Sequence, residues 1–153
     1  MKARLVMCVL LATSGCGPAA PPLISQAEVQ QFVRDYVAAT NAADAAKLMS
    51  MVQRDAAVSS IAYGKLDRGW EAIRTSTDQG TARSPQFKMT TGTVDVMPLA
   101  PDTALVVATM NLAGQHQIGG VSVLNLPGAF TMVVRRTPEG LRLVHEHYSV
   151  RAP

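Results

Sequence analysis

A chain of 153 residues, 48% of them apolar and 16% charged, has room for one folded domain and too many apolar residues to be disordered throughout. Its formal net charge is +3, but Lys2 and Arg4 fall in an N-terminal leader that carries none of the 11 acidic residues, so the remainder has a net charge of +1. A nearly neutral surface without a basic stripe leaves no footprint for a phosphate backbone, and no nucleic-acid partner is expected.

The chain opens as an export signal. Met1-Lys2-Ala3-Arg4 is basic, and Leu5 to Ala12 is an unbroken apolar run. That run is too short to span a bilayer, which takes about 20 apolar residues, and it suits the core of a signal peptide. Thr13-Ser14-Gly15-Cys16 resembles a lipobox, with Thr13 where leucine is usual. The expectation is a signal peptide over 1–15, cleavage before Cys16 and diacylglycerol on its thiol, with several acyl chains holding the protein to a membrane. Gly17 is not the aspartate associated with inner-membrane retention. An envelope with two membranes would therefore place the protein on the outer one, facing the periplasm. Residues 16–24 form a tether kept extended by Pro18, Pro21 and Pro22.

The domain occupies 25–153. Ser25-Gln26-Ala27-Glu28 fits a capping box, and Val29, Phe32, Val33, Tyr36 and Val37 recur with helical spacing, so the pattern predicts an amphipathic helix to about Thr40. A shorter helix carrying Leu48, Met49 and Val52 follows Asp44. Residues 57–63 read as a short strand closed by Gly64, and Gly69 leads a third short helix, Trp70-Glu71-Ala72-Ile73-Arg74. Beyond Gln86 alternation dominates, predicting strands over 87–97, 103–112, 121–126, 129–136 and 141–150. Glycine- and proline-rich turns separate them, among them Pro127-Gly128. The order predicts an α+β domain in which a long antiparallel meander is covered on one face by the first helix.

This order resembles the nuclear transport factor 2-like superfamily, and within it the SnoaL-like domains. The ending carries the resemblance best: Gly140-Leu141-Arg142-Leu143-Val144-His145-Glu146-His147-Tyr148-Ser149 matches a glycine turn and a last strand finishing in histidine, any residue, serine, with Leu141 where a tryptophan is usual. Gly69-Trp70-Glu71-Ala72-Ile73 is similar to the family's glycine-led third helix. The resemblance implies a cone: a curled antiparallel sheet wrapped around the N-terminal helix, with a pocket at the open end. The superfamily includes ketosteroid isomerases, polyketide cyclases, dehydratases and non-enzymes, so the fold does not name a function.

Strict alternation puts Leu141, Leu143, His145, His147 and Ser149 on one face of the last strand, and Arg142, Val144, Glu146 and Tyr148 on the other. On that reading His147 points into the cavity. His145 and His147 are candidate pocket residues, but the third histidine, His116, lies in a glycine-rich region, too little to complete a metal site, and neither a metal nor a cofactor is expected. Tyr63 and Trp70 are the aromatic candidates for the pocket wall, although packing would explain Trp70 equally well. Asp55, Asp67 and Asp95 are weighed as bases and read more simply as a turn-closing, a surface-turn and a solvent-facing residue. Three functions remain: a membrane-anchored, non-catalytic pocket for a small hydrophobic or amphipathic molecule, ranked first; an isomerase-, cyclase- or dehydratase-type enzyme using a cavity histidine or aspartate; and a ligand-free module that forms a homodimer through the sheet.

Overall fold

A computed structural model describes residues 23–118 and 121–151, with side chains omitted from 115 to 124. Cys16, and with it the expected cleavage and lipidation, lies outside the described residues. The elements run α1 (Gln26–Asn41), α2 (Ala45–Met51), β1 (Ser59–Ala62), β2 (Lys65–Arg68), α3 (Trp70–Arg83), β3 (Lys88–Ala100), β4 (Thr103–Ile118), β5 (Val121–Thr137) and β6 (Gly140–Val150).

The capping box forms as the sequence predicts. The Ser25 hydroxyl accepts from the Glu28 amide at 3.3 Å, and the Glu28 carboxylate accepts from the Ser25 amide at 3.0 Å. The same carboxylate takes two hydrogen bonds from the Arg136 guanidinium, at 2.9 and 3.0 Å, which ties the start of α1 to β5. At the other end of α1, Asn41 acts as a strand mimic. Its side chain donates to the Met89 carbonyl at 2.9 Å and accepts from the Met89 amide at 2.6 Å, satisfying both backbone groups of a β3 residue. Between these anchors Val29, Phe32, Val33 and Tyr36 are buried and Val37 packs against them, so the apolar stripe faces the sheet as expected.

The sheet has the order β2-β1-β6-β5-β4-β3 and is curled over the helix. Every junction is antiparallel except β1 with β6, which run parallel, so the first strand returns to the far end of the meander. The row Val96, Val106, Met132, Glu146, Ser60 crosses the concave face, flanked by Ala108, Phe130 and Tyr148 on one side and by Ala104, Val134 and Leu143 on the other. These side chains, with the α1 stripe, form the core.

Three elements differ from the sequence pattern. Lys65–Arg68 is a strand, paired to β1 across the two-residue turn Tyr63-Gly64, in which both residues have positive φ (52° and 76°); that is the conformation of a tight hairpin turn. Helix α3 extends to Arg83 despite its threonines and glycine. Only Ile73 is buried in it, and Arg74 braces the exposed side through Glu71 (3.0 Å) and Asp78 (3.3 Å). The expected turn at Pro127-Gly128 is instead continuous strand, because Gly128 is needed for close approach to β6: a Cβ there would overlap the Ser149 carbonyl oxygen.

Candidate functional site

The last strand decides where the chemistry lies, and it does not alternate strictly. Val133 pairs with His145 while Val134 pairs with Leu143, so β6 carries one extra residue, Val144, against β5. A bulge of this kind transfers every following side chain to the opposite face. Leu143 is buried before it; Glu146 is buried after it, with Tyr148 and Val150 half-buried against the core. The expected inward orientation of His147 is therefore corrected: His147 is exposed, on the outer face between Ile61 and Thr131. His145 shares that outer face and is half-buried, its Nδ1 sitting 2.8 Å from the Ser59 hydroxyl.

Glu146 takes the place intended for the histidine. Only 6% exposed, its carboxylate accepts from the Tyr36 hydroxyl (2.7 Å) and the Ser60 hydroxyl (2.7 Å), and the Tyr148 hydroxyl lies 3.0 Å away. The two tyrosine oxygens are 3.2 Å apart. No lysine, arginine or histidine hydrogen-bonds to this carboxylate among the described residues, so three hydroxyls satisfy it. Burial pushes both phenols well above their ordinary value, and the adjacent Glu146 charge pushes them further. An unfolded chain releases these protons from about pH 10, while the native state holds them. Folding stability contributed by the pair is thus fully present below that pH and is lost as pH rises above it. Thermal melts from about pH 9 to 12 should show a steep fall that is shallower in Tyr36→Phe, and an unchanged slope in that variant would disprove the coupling.

Trp70 lies in a different place from the two histidines. It opens α3 behind Gly69, whose φ of 82° turns the chain into the helix, and its amide donates to the Asp55 carbonyl at 3.1 Å. The half-buried indole has the Arg54 guanidinium 4.9 Å from its ring centroid and that of Arg74 at 5.8 Å. With Met49, Val52, Gln53 and Arg142 it lines a groove of about 600 Å³ between the end of α2, the start of α3 and the β5–β6 turn. That volume is within the range of small-molecule sites. Tyr63, His145 and His147 do not line it. Tyr63 is 55% exposed at the tip of the β1–β2 hairpin, so the four expected pocket residues are not brought together.

The aspartates are otherwise engaged. Asp55 closes a turn by accepting from the Ala57 amide at 2.7 Å, Asp67 is 3.0 Å from the Lys65 ammonium, and Asp95 is exposed on β3. The described residues contain no group of three or more histidine, cysteine, aspartate or glutamate side chains placed to hold a metal ion. Glu146, Arg54, Gln53 and Arg142 are the site residues that the sequence pattern does not single out. The signal for Glu146 is a change of parity, since Leu141 and Leu143 are odd-numbered apolar residues and Tyr148 and Val150 even-numbered ones.

Solved structures with this fold include an uncharacterized protein with a cystatin-like fold from Caulobacter vibrioides (TM-score 0.74, 19% identity, 83% of this chain and 89% of that one). A nuclear transport factor 2-like superfamily protein from Salmonella enterica (TM-score 0.71, 18% identity, 83% and 91%) is similar to the same extent. So is a ketosteroid isomerase-like protein from Erwinia carotovora atroseptica (TM-score 0.68, 15% identity, 83% and 96%). At these identities the likeness shows the fold alone. A search of the curated proteins finds no match. The model of the SnoaL-like domain matches residues 29–153, from the first core valine of α1 to the last residue, and the chain belongs to that family.

Proposed function

We propose that this protein is a lipid-anchored pocket domain that binds a small amphipathic molecule at a membrane surface without transforming it. The observation that carries the binding reading is the groove at Trp70, where an aromatic ring, Met49 and Val52 offer apolar area next to guanidinium groups. The five candidate acid–base residues raised by sequence, His145, His147 and the three aspartates, lie on the outer face or are held in turns and ion pairs, which supports binding over catalysis. Since Trp70 is the chain's single tryptophan, its emission reports on this groove alone. Titrating the Cys16→Ser chain with octyl compounds of differing head group should shift that emission saturably and raise the melting temperature. No response to any of them would overturn the reading.

The anchor rests on the leader, the short apolar run and Cys16. Cys16→Ser should abolish lipid attachment, leaving a product that no longer partitions into detergent; unchanged mass and membrane attachment would refute it. A second reading, isomerase- or dehydratase-type chemistry, draws support from Glu146 beside Tyr36 and Tyr148, because a carboxylate and two phenols can exchange a proton. Under that reading Glu146→Gln abolishes turnover of a ketosteroid or hydroxy-acid substrate. In a binding domain it leaves affinity at the Trp70 groove unaltered.

A further inference from the structure

Two cations in the Trp70 groove have no carboxylate within ion-pair distance. Arg74 is committed to Glu71 and Asp78, and Arg136 to Glu28, but among the described residues neither Arg54 nor Arg142 has a carboxylate within 4 Å, although the Glu139 charge in the same groove attracts Arg142 from farther away. Arg54 is exposed, and its guanidinium stands over the indole. Arg142 is half-buried, with one Nη1 hydrogen bond to the Leu141 carbonyl at 2.9 Å, which leaves most of its donor fork unused. The acidic residue of the groove, Glu139, is engaged by the Thr137 hydroxyl at 2.8 Å, and that hydrogen bond, with a smaller contribution from the Arg142 charge, holds its carboxyl below the ordinary value.

A third group is short of a partner in the same place. The side-chain oxygen of Gln53 is buried and accepts no hydrogen bond, although the residue's backbone amide is satisfied by the Leu143 carbonyl at 2.9 Å. An unmade hydrogen bond at a buried acceptor is costly, and a turn of the Gln53 side chain toward the groove that the residue lines would offer that oxygen a donor on a bound molecule. The groove therefore combines apolar area, two guanidinium groups without a hydrogen-bonded carboxylate, and one acceptor without a donor.

We propose that the groove receives the carboxylate of a small amphipathic acid, held between Arg54 and Arg142, with the Gln53 oxygen accepting from a hydroxyl beside that carboxylate. A guanidinium fork matches the two oxygens of a carboxylate, which makes arginine the side chain best suited to hold one. The indole and Met49 then take the alkyl or aromatic body of the acid. This inference rests on the Trp70 groove being a ligand site, and it adds the chemical class of the ligand.

Calorimetric titration of the Cys16→Ser chain with octanoate, octanol and α-hydroxyoctanoate separates the two claims. Octanoate should bind about tenfold or more tighter than octanol, as expected for one charge-assisted hydrogen-bonded pair, and α-hydroxyoctanoate tighter again. Arg54→Gln and Arg142→Gln should each weaken octanoate about tenfold and leave octanol unchanged, and Gln53→Leu should abolish the advantage of the hydroxy acid. Arg54 is exposed, so its variant keeps the fold and the test holds even if Arg142→Gln is unstable. Equal affinity for octanoate and octanol, or an octanoate affinity that Arg54→Gln leaves unchanged, overturns the inference while the groove remains a ligand site. If none of the three compounds binds, both readings fall.

Discussion

Replacing Glu146 with alanine should destabilise the domain by about 2–4 kcal/mol, as measured by urea unfolding at neutral pH. The estimate follows from the hydroxyls that the carboxylate now satisfies. Without it, Tyr36 and Tyr148 can still pair with each other across 3.2 Å, but that uses only one of their two donors. The other phenol and the Ser60 hydroxyl are left unpaired in a space that also loses the four heavy side-chain atoms beyond Cβ. Each stranded buried group costs about 1–3 kcal/mol. An opposing term exists, since a buried carboxylate is itself expensive to desolvate. Tyr36→Phe, Ser60→Ala and the double variants with Glu146→Ala measure how much each donor offsets that cost. If Glu146→Ala proves as stable as the parent, desolvation equals the hydrogen-bond gain. Glu146 would then contribute nothing net to stability, and the case for a chemical role would strengthen.

Truncation of Phe32 to alanine should cost more, about 3–5 kcal/mol. The ring is 7% exposed in the middle of the α1 stripe, between a helix fixed at both ends and a sheet that curls around it. With Ser25–Glu28–Arg136 holding one end of α1 and Asn41–Met89 the other, the helix cannot sink to refill the vacated volume. Sites that cannot relax lie at the expensive end of the large-to-small range. The same truncation at Val37, at the edge of the stripe, should cost visibly less. A loss below about 1 kcal/mol at Phe32 would show that the ring is not packed between helix and sheet.

The helix over 26–41 is legible in the sequence because cap, period and burial agree there: Ser25 and Glu28 mark the start and the valines, Phe32 and Tyr36 name the face. The meander is legible for the same reason, up to its turns. What fails is parity within a strand. Alternation assigns faces only while the register is unbroken, and the extra residue at Val144 breaks it just before the histidines. Residues 65–68 escape notice because Lys-Leu-Asp-Arg at a sheet edge buries little and so displays no apolar period. The Trp70 groove escapes it for a different reason. Its walls come from Met49, Gln53, Trp70 and Arg142, and nothing local in the sequence relates the end of α2 to a turn some 85 residues later.

The bulge at Val144 sets which kind of ionisable group occupies the centre of the molecule. Pairing without the bulge would carry two-residue alternation through Val144 into the second half of β6, turning Glu146 out to water and bringing His145 and His147 to the concave face. Imidazoles change charge near pH 6.5, so a core built around them would come apart in mild acid. As it stands, the interior presents tyrosines whose protons are held above the ordinary phenol range, and both histidines lie on the outer face. Absorbing one extra residue in a bulge thus keeps groups that change charge near neutrality out of the core, where strict alternation of the same sequence would place two of them.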